Sequence, residues 1–229
     1  LSGGAKMIDT SWYNADKKEY VLNDAADLYG FAELSRETDF AGKTVKLGKN
    51  IVVNKDVKNP TSNWTQIGNT SKPFAGTFDG QGHKLQNIGS MLFGTTDGAT
   101  IKNIGLESGT VVQNLTYAQY TGTLVGSCEG NDPTTISNCY SKVNLSSASN
   151  DAGGLVGKLY GTLSDSYYSG IIRVSGTVGG LIGSSASASK PANVDHCYVS
   201  STIIKSSGSA SNRGALAGYL HSGSQLFRC

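Results

Sequence analysis

A chain of 229 residues with 30 glycines, 4 prolines and 16% charged residues is long enough to bury one sizeable core. Its composition suits many short strands joined by turns, and excludes a helical bundle or a charge-rich disordered segment. Lys and Arg number 19 against 17 acidic residues, leaving a formal charge of +2 without a basic run. That sets aside nucleic-acid binding, which normally shows as a basic stripe. No apolar stretch approaches the ~18 residues of a membrane span, so no membrane insertion is expected.

In chain order, residues 1–42 read as a leader, an edge strand and a capping helix. The start at Leu1, with neither a methionine nor a charged-then-apolar leader, reads as a mature or excised piece. Tyr20-Val21-Leu22 is the strand. Asn23 suits an N-cap, and Asp24 and Asp27 place carboxylates in a first helical turn. Ala25, Leu28, Phe31, Ala32 and Leu34 form one apolar face at helical spacing, which predicts a helix over 24–37 with Arg36 in its last turn. One amphipathic helix ahead of a strand-rich repeat is suited to covering the open end of a solenoid.

Residues 43–88 supply lead-in strands: Thr44–Leu47, Ile51–Val53, Trp64–Gly68, Phe74–Phe78 and, after the turn Asp79-Gly80-Gln81-Gly82, His83–Ile88. Between them, 54–63 holds Pro60 and reads as a loop.

Residues 89–229 are repeats. Gly153-Gly154-Leu155-Val156-Gly157 returns as Gly179-Gly180-Leu181-Ile182-Gly183, with looser copies ending at Gly94, Gly126 and Gly218, so the intervals are 32, 31, 26 and 35 residues. Self-similarity of this kind identifies a repeat architecture. A second signature follows each copy: Ile101–Ile104, Ile136–Cys139, Leu163–Ser166, Val194–Cys197 and Leu226–Cys229. A third strand follows at Val111-Val112, Val143–Leu145, Ile171–Val174 and Ile203-Ile204. Three short strands per repeat predict one turn of a parallel β-helix, an all-β solenoid with a narrow apolar core. The whole chain is expected to form this single domain. Length variation collects in polar loops at 129–135, 184–192 and 206–212.

The second signature has a physical reading. Residues three apart cannot both point inward from an alternating strand. One residue between them must break the alternation, and Asn, Asp and His tolerate left-handed backbone. Asn87, Asn103, Asn138, Asp165 and His196 are therefore expected to stack as a turn ladder, one per turn, with amide bonds along it. Arg228 departs from the pattern and suggests a distorted last turn. Asn87 and Asn103 are only 16 positions apart, short for a full turn. Leu92, Leu124, Leu155, Leu181 and Leu216 are expected to form one core column. Ile104, Cys139 and Cys197 share another with Ser166 and Cys229. Cys139 and Cys197 lie two turns apart, roughly 9–10 Å, too far for a disulfide. Cys197 and Cys229 lie on adjacent turns, and both the free and the bonded forms stay open. Cys128 is placed near a loop.

These motifs resemble the GLUG-motif β-helix proteins, named for a repeated Gly-Leu-(any)-Gly. The carriers are Gly154-Leu155-Val156-Gly157, Gly180-Leu181-Ile182-Gly183 and the looser copies. They follow a typical lead-in that includes Phe40-Ala41-Gly42-Lys43, Trp64–Gly68 and Phe74–His83. The resemblance covers nearly the whole chain from about residue 12. It implies a right-handed β-helix and a secreted or cell-surface bacterial setting, as in adhesin-like proteins and the non-catalytic region of IgA-specific metallopeptidases. It carries over no catalytic residue.

No His-Glu-x-x-His, paired-cysteine or phosphate-loop signature is present, so no metal or cofactor is expected. A glycan-cleaving site needs clustered carboxylates on one face. Asp165 and Asp195 are the only near approach, one column apart on adjacent turns. A regular Thr array suited to ice binding is not visible. Tyr140, Tyr167 and Tyr198 share an outward column that either binds sugar or protein or merely stacks on itself. The expected role is a monomeric, non-catalytic structural or adhesive module that binds host protein or glycan. The rival is a β-helix polysaccharide lyase or glycoside hydrolase.

Overall fold

The computed structural model describes residues 7–54, 66–113, 120–128, 130–147, 151–205 and 212–229. It is an all-β parallel solenoid with, among the described residues, one short helix between its first two strands. An eight-stranded sheet runs its length through Glu19–Leu22, Thr44–Leu47, Thr77–Asp79, Thr100–Lys102, Thr134–Ser137, Gly161–Ser164, Ala192–Asp195 and Gln225–Phe227. A six-stranded sheet holds Ile51–Val52, Lys84–Gln86, Gly105–Leu106, Tyr140–Ser141, Tyr167–Tyr168 and Tyr198–Val199. Three further sheets of 4, 4 and 5 strands complete the turns. The paired strands are parallel, with the same position of one turn opposite that of the next, as in Ile101–Ile136–Leu163–Val194.

Each complete turn has five strands where the sequence suggests three. The second signature splits in two at its left-handed residue, giving Thr134–Ser137 and Tyr140–Ser141 in one turn. A further strand ends on the glycine motif: Tyr120–Gly122, Asp151–Gly153, Thr177–Gly179 and Arg213–Gly214. It was hidden because its residues merge into the motif. The short first turn is real. Leu85 lies opposite Leu106, and after Ile88, which bridges Gly109, the chain goes straight to the corner at Leu92. Of the lead-in strand at Trp64–Gly68, Trp64 and Thr65 fall outside the described residues, while Ile67 bridges Phe93. The loops expected at 54–63 and 206–212 also fall largely outside them, while of 129–135 only Glu129 does, and Thr134 and Thr135 already belong to the strand Thr134–Ser137.

The helix spans Ala25–Leu34, shorter than the expected 24–37. Its N-cap is Asp24, not Asn23: the Asp24 carboxylate accepts from the Asp27 amide at 3.0 Å. Asp27 in turn accepts from the Asn23 amide at 2.8 Å, a reciprocal capping arrangement. The helix stops at Ser35, so Arg36 lies beyond its last turn. Leu28, Phe31 and Ala32 are buried. The Tyr29 hydroxyl donates to the Val53 carbonyl at 2.6 Å, tying the helix to the second sheet.

The core is apolar in columns but carries hydroxyls. Thr96 meets Thr134 at 2.8 Å, Thr121 meets Ser147 at 3.0 Å and Thr123 meets Ser141 at 2.7 Å, all buried. Pairing satisfies groups that would otherwise be costly inside. Leu92, Leu124, Leu155 and Leu181 are buried as expected, and Leu216, in the last turn, is partly covered. Beside Leu216 a cavity of about 510 Å³ opens at the C-terminal end, lined also by Val199, Ser201 and Ile203.

Candidate binding face

The glycine motif is a corner between two sheets. Gly153 ends one strand, Gly154 and Leu155 bend, and Val156 begins the next. Neither Gly153, Gly154 nor Gly157 has positive φ. The glycines are needed instead because backbone passes close by. A Cβ on Gly153 would lie 2.0 Å from the Val156 carbonyl oxygen, and one on Gly157 2.5 Å from the Gly126 carbonyl oxygen. The motif therefore serves the fold.

The adjoining turn ladder forms with two changes of membership. Asn103, Asn138, Asp165 and His196 have φ of 57, 51, 49 and 49°. Arg228, expected to break the pattern, holds φ 49° in the same column. Its guanidinium grips Asp195 of the previous turn through Nε–Oδ1 at 3.0 Å and Nη2–Oδ2 at 2.6 Å, which offsets the poor fit of Arg to left-handed backbone. Asn87 is left-handed at 57° but belongs elsewhere. It follows the strand Lys84–Gln86 of the six-stranded sheet, and its side-chain amide donates to the Asn54 backbone carbonyl at 2.7 Å while that of Asn54 donates to the Asn87 carbonyl at 2.8 Å. The turn facing Asn103 is Gly80-Gln81-Gly82 instead, with Gln81 and Gly82 both left-handed. Amide bonding along the ladder occurs from Asn138 to Asn103 at 2.8 Å and on to Asp79 at 3.0 Å. Asn138→Ala should lower stability by about 1–2 kcal/mol, because alanine resists left-handed backbone and loses the Asn103 bond. Asn138→Gly should cost less than half of that, since it keeps the dihedral. Urea midpoints at constant m-value would check the order of the two.

Tyr140, Tyr167 and Tyr198 lie opposite one another on the outer side of the six-stranded sheet. Their rings stack at 5.1 and 4.8 Å with interplanar angles of 6 and 10°. Each ring thus covers a face of its neighbour, and Tyr198, 56% exposed, presents the open end. Below Tyr140 the column holds Gly105, where a Cβ would strike the Tyr140 ring at 2.3–2.5 Å. The Tyr140 hydroxyl donates to Glu107 at 2.6 Å, and Lys142 Nζ reaches the other Glu107 oxygen at 2.8 Å. These bonds hold the Glu107 carboxyl below the usual range, Lys142 first and Tyr140 second. Burial and the same carboxylate push the Tyr140 phenol up. The face therefore joins a rigid aromatic ladder to a fixed charge pair. Glu107 and Lys142, the polar partners of the ladder, escaped sequence reasoning because neither belongs to a repeated motif, although both stand three residues past the Ile104–Cys139 column.

Asp165 and Asp195 sit as expected, one column apart on adjacent turns. Their link is through backbone, the Asp165 amide donating to the Asp195 carbonyl at 3.1 Å. The Arg228 guanidinium keeps the Asp195 carboxyl below its ordinary range. Cys139 and Cys197 are buried and Cys229 is exposed, all as free thiols. Cys128 is buried at the end of the strand Val125–Cys128, next to the loop expected at 129–135. Burial pushes the Cys139 thiol up to about 12.

A threonine column does exist, contrary to the sequence reading. Thr44, Thr77, Thr100, Thr135 and Thr162 are aligned turn upon turn on the outside of the eight-stranded sheet. The neighbouring outward column reads Lys46, Asp79, Lys102, Ser137 and Ser164, so it is not a second hydroxyl row. Among the described residues no helix is long and apolar enough to cross a membrane.

No protein-family model and no curated protein matches the chain. Among solved structures, the chain is similar to one described as a "putative immunoglobulin A1 protease" from Bacteroides ovatus, with a TM-score of 0.67 and 18% identity. The match takes in 92% of this chain and 64% of that one, so the chain spans just under two thirds of its length. At that identity the likeness establishes the fold: a parallel β-solenoid with a short helix near its N-terminus.

Proposed function

We propose that the chain is a non-catalytic structural and adhesive module of a secreted or cell-surface bacterial protein, with GLUG-type repeats. Its binding face is the tyrosine ladder with the Glu107–Lys142 pair beside it. The ladder carries the reading. Three stacked, near-parallel phenols on consecutive turns give a rigid amphipathic surface that loses little side-chain entropy on binding. Host protein or glycan would meet the open Tyr198 ring and the polar edge of the stack. The solenoid neighbour described as an immunoglobulin protease supports a role as a module within a larger secreted protein. Arg228 drives the Asp195 pKa down, which counts against Asp195 as the proton-donating acid of a glycan-cleaving pair.

The test is binding to immobilised mucin and to a glycan array, in parallel with Tyr198→Ala. Tyr198→Ala should weaken binding about 10-fold or more, the usual loss for removing a well-placed aromatic contact. Tyr140→Phe, which deletes a hydroxyl already used by Glu107, should change it less than 3-fold. Binding that survives Tyr198→Ala removes this face from consideration. Release of reducing or unsaturated sugars from a polysaccharide panel would instead favour the lyase or hydrolase.

A further inference from the structure

We propose that Cys197 and Cys229 are a modification site, closing into a disulfide between adjacent turns on meeting a small-molecule disulfide such as oxidised glutathione. The register places them together. Asp195 lies opposite Phe227, and the pairing continues past the strands through His196 N to the Phe227 carbonyl at 3.2 Å. His196 and Arg228 then turn identically, both at φ 49°, and set Cys197 opposite Cys229. Neighbouring strands are roughly 4.8 Å apart, inside the ~4.4–6.8 Å range of Cα separations that a disulfide spans.

The thiols are also matched. Cys197 Sγ lies 3.2 Å from the Asp195 carbonyl and 3.6 Å from that of Leu163. Cys229 Sγ lies 3.1 Å from the Phe227 carbonyl and 3.7 Å from that of Val194. Both therefore hold the same rotamer, one turn apart. Side chains so aligned must approach by about 1 Å to reach the ~3.8 Å mean Cβ separation of a disulfide. The last turn can yield that distance: among the described residues Gln225–Phe227 pairs on one side only. The Arg228–Asp195 clamp keeps Cys229 over its partner while it moves. Cys139 has no such neighbour, because Ser166 occupies the turn between it and Cys197.

The chemistry runs from the exposed thiol inward. The Cys229 thiolate attacks one sulfur of oxidised glutathione, forming a mixed disulfide and expelling one glutathione thiolate. Cys197 gives its proton to water, and its sulfur attacks Cys229 Sγ, expelling the second glutathione. Two protein thiols are oxidised to one disulfide and one glutathione disulfide is reduced to two thiols. Burial pushes the Cys197 thiol up to about 11 and makes this second step the slow one. The product ties the last described turn to the stack.

The folded protein would be incubated with oxidised glutathione, alkylated without reduction, digested and analysed by mass spectrometry. The expected result is a cross-linked peptide pair containing Cys197 and Cys229, with the intact mass lower by two hydrogens and Cys128 and Cys139 still alkylated after denaturation. Cys139→Ser should leave the yield unchanged, and Cys197→Ser should leave a glutathione adduct at Cys229. Three outcomes overturn the proposal: both thiols unreacted, a glutathione adduct persisting at Cys229 in the unsubstituted chain, or a cross-link joining two molecules.

Discussion

Gly153→Ala should lower the stability of the fold by about 3 kcal/mol, at the upper end of what overpacking costs. The cause is not backbone dihedral, since Gly153 does not have positive φ. Its added Cβ would fall 2.0 Å from the Val156 carbonyl oxygen, and 2.6 Å from Gly183 N and Ile182 Cα of the next turn. All three obstacles are backbone atoms in paired strands, so none can move like the end of a flexible side chain. Relief requires opening the corner and losing ladder hydrogen bonds on both turns. Gly42→Ala is the informative contrast. Gly42 has φ 72° with nothing within 4 Å of the missing Cβ. There alanine meets only the left-handed penalty of about 1–2 kcal/mol. Urea unfolding followed by circular dichroism gives both numbers from the midpoint shift. A Gly153→Ala cost at or below that of Gly42→Ala would mean that the corner yields, and that close approach is not why the motif uses glycine.

That contrast also shows what the sequence made legible. Repetition of Gly-Leu-(any)-Gly fixed the columns, because Leu124, Leu155 and Leu181 recur with the same flanks and all prove buried. The left-handed corner could be derived at Asn138, Asp165 and His196 because Ile136 and Cys139 are three apart and both buried. The same rule gives the left-handed backbone of Asn87, φ 57°, but not its column. Leu85 and Ile88 copy the pattern, but they stand in a different sheet, a fact carried only by pairing with Leu106 and Gly109. Arg228 failed in the other direction. Its side chain is a poor corner former, and its ion pair with Asp195 lies 33 residues away. The threonine column was invisible for a related reason. Its members are separated by 33, 23, 35 and 27 residues, so no fixed period reveals them. Of the candidate binding face, the tyrosines could be read because each follows the second signature. Glu107 and Lys142 follow from the same register, each three residues past the Ile104–Cys139 column, but neither belongs to a repeated motif that would single it out.

Phe31→Ala should cost about 3–5 kcal/mol, the range for emptying a buried phenylalanine site. The helix it belongs to has ten residues, Ala25–Leu34. A helix of that length is marginal alone, so it must be held by packing. Phe31 is fully buried and makes the central contacts. Its ring lies 5.0 Å from Phe40, 5.6 Å from Phe74 and 6.0 Å from Phe78, the last pair stacked at 10°. Phe40 is itself held left-handed at φ 58°, a conformation a bulky side chain keeps only when its surroundings impose it. Removing Phe31 therefore empties the seat of the cap and releases the constraint on Phe40. Roughly 2–4 °C per kcal/mol for a chain of this size makes the expected Tm drop on the order of 10 °C. Glu33→Ala, on the same helix but in a surface ion pair with Arg36, should stay within about 0.5 kcal/mol. Hydrogen exchange separates cap loss from general weakening. If the helix closes the N-terminal end, Phe31→Ala should speed exchange at Thr44–Leu47 and Thr77–Asp79 well before it reaches Ile182–Ser185 near the other end. Equal acceleration throughout, or a Tm change under about 2 °C, would mean that the turns close without the helix and that its aromatic contacts are incidental to the stack.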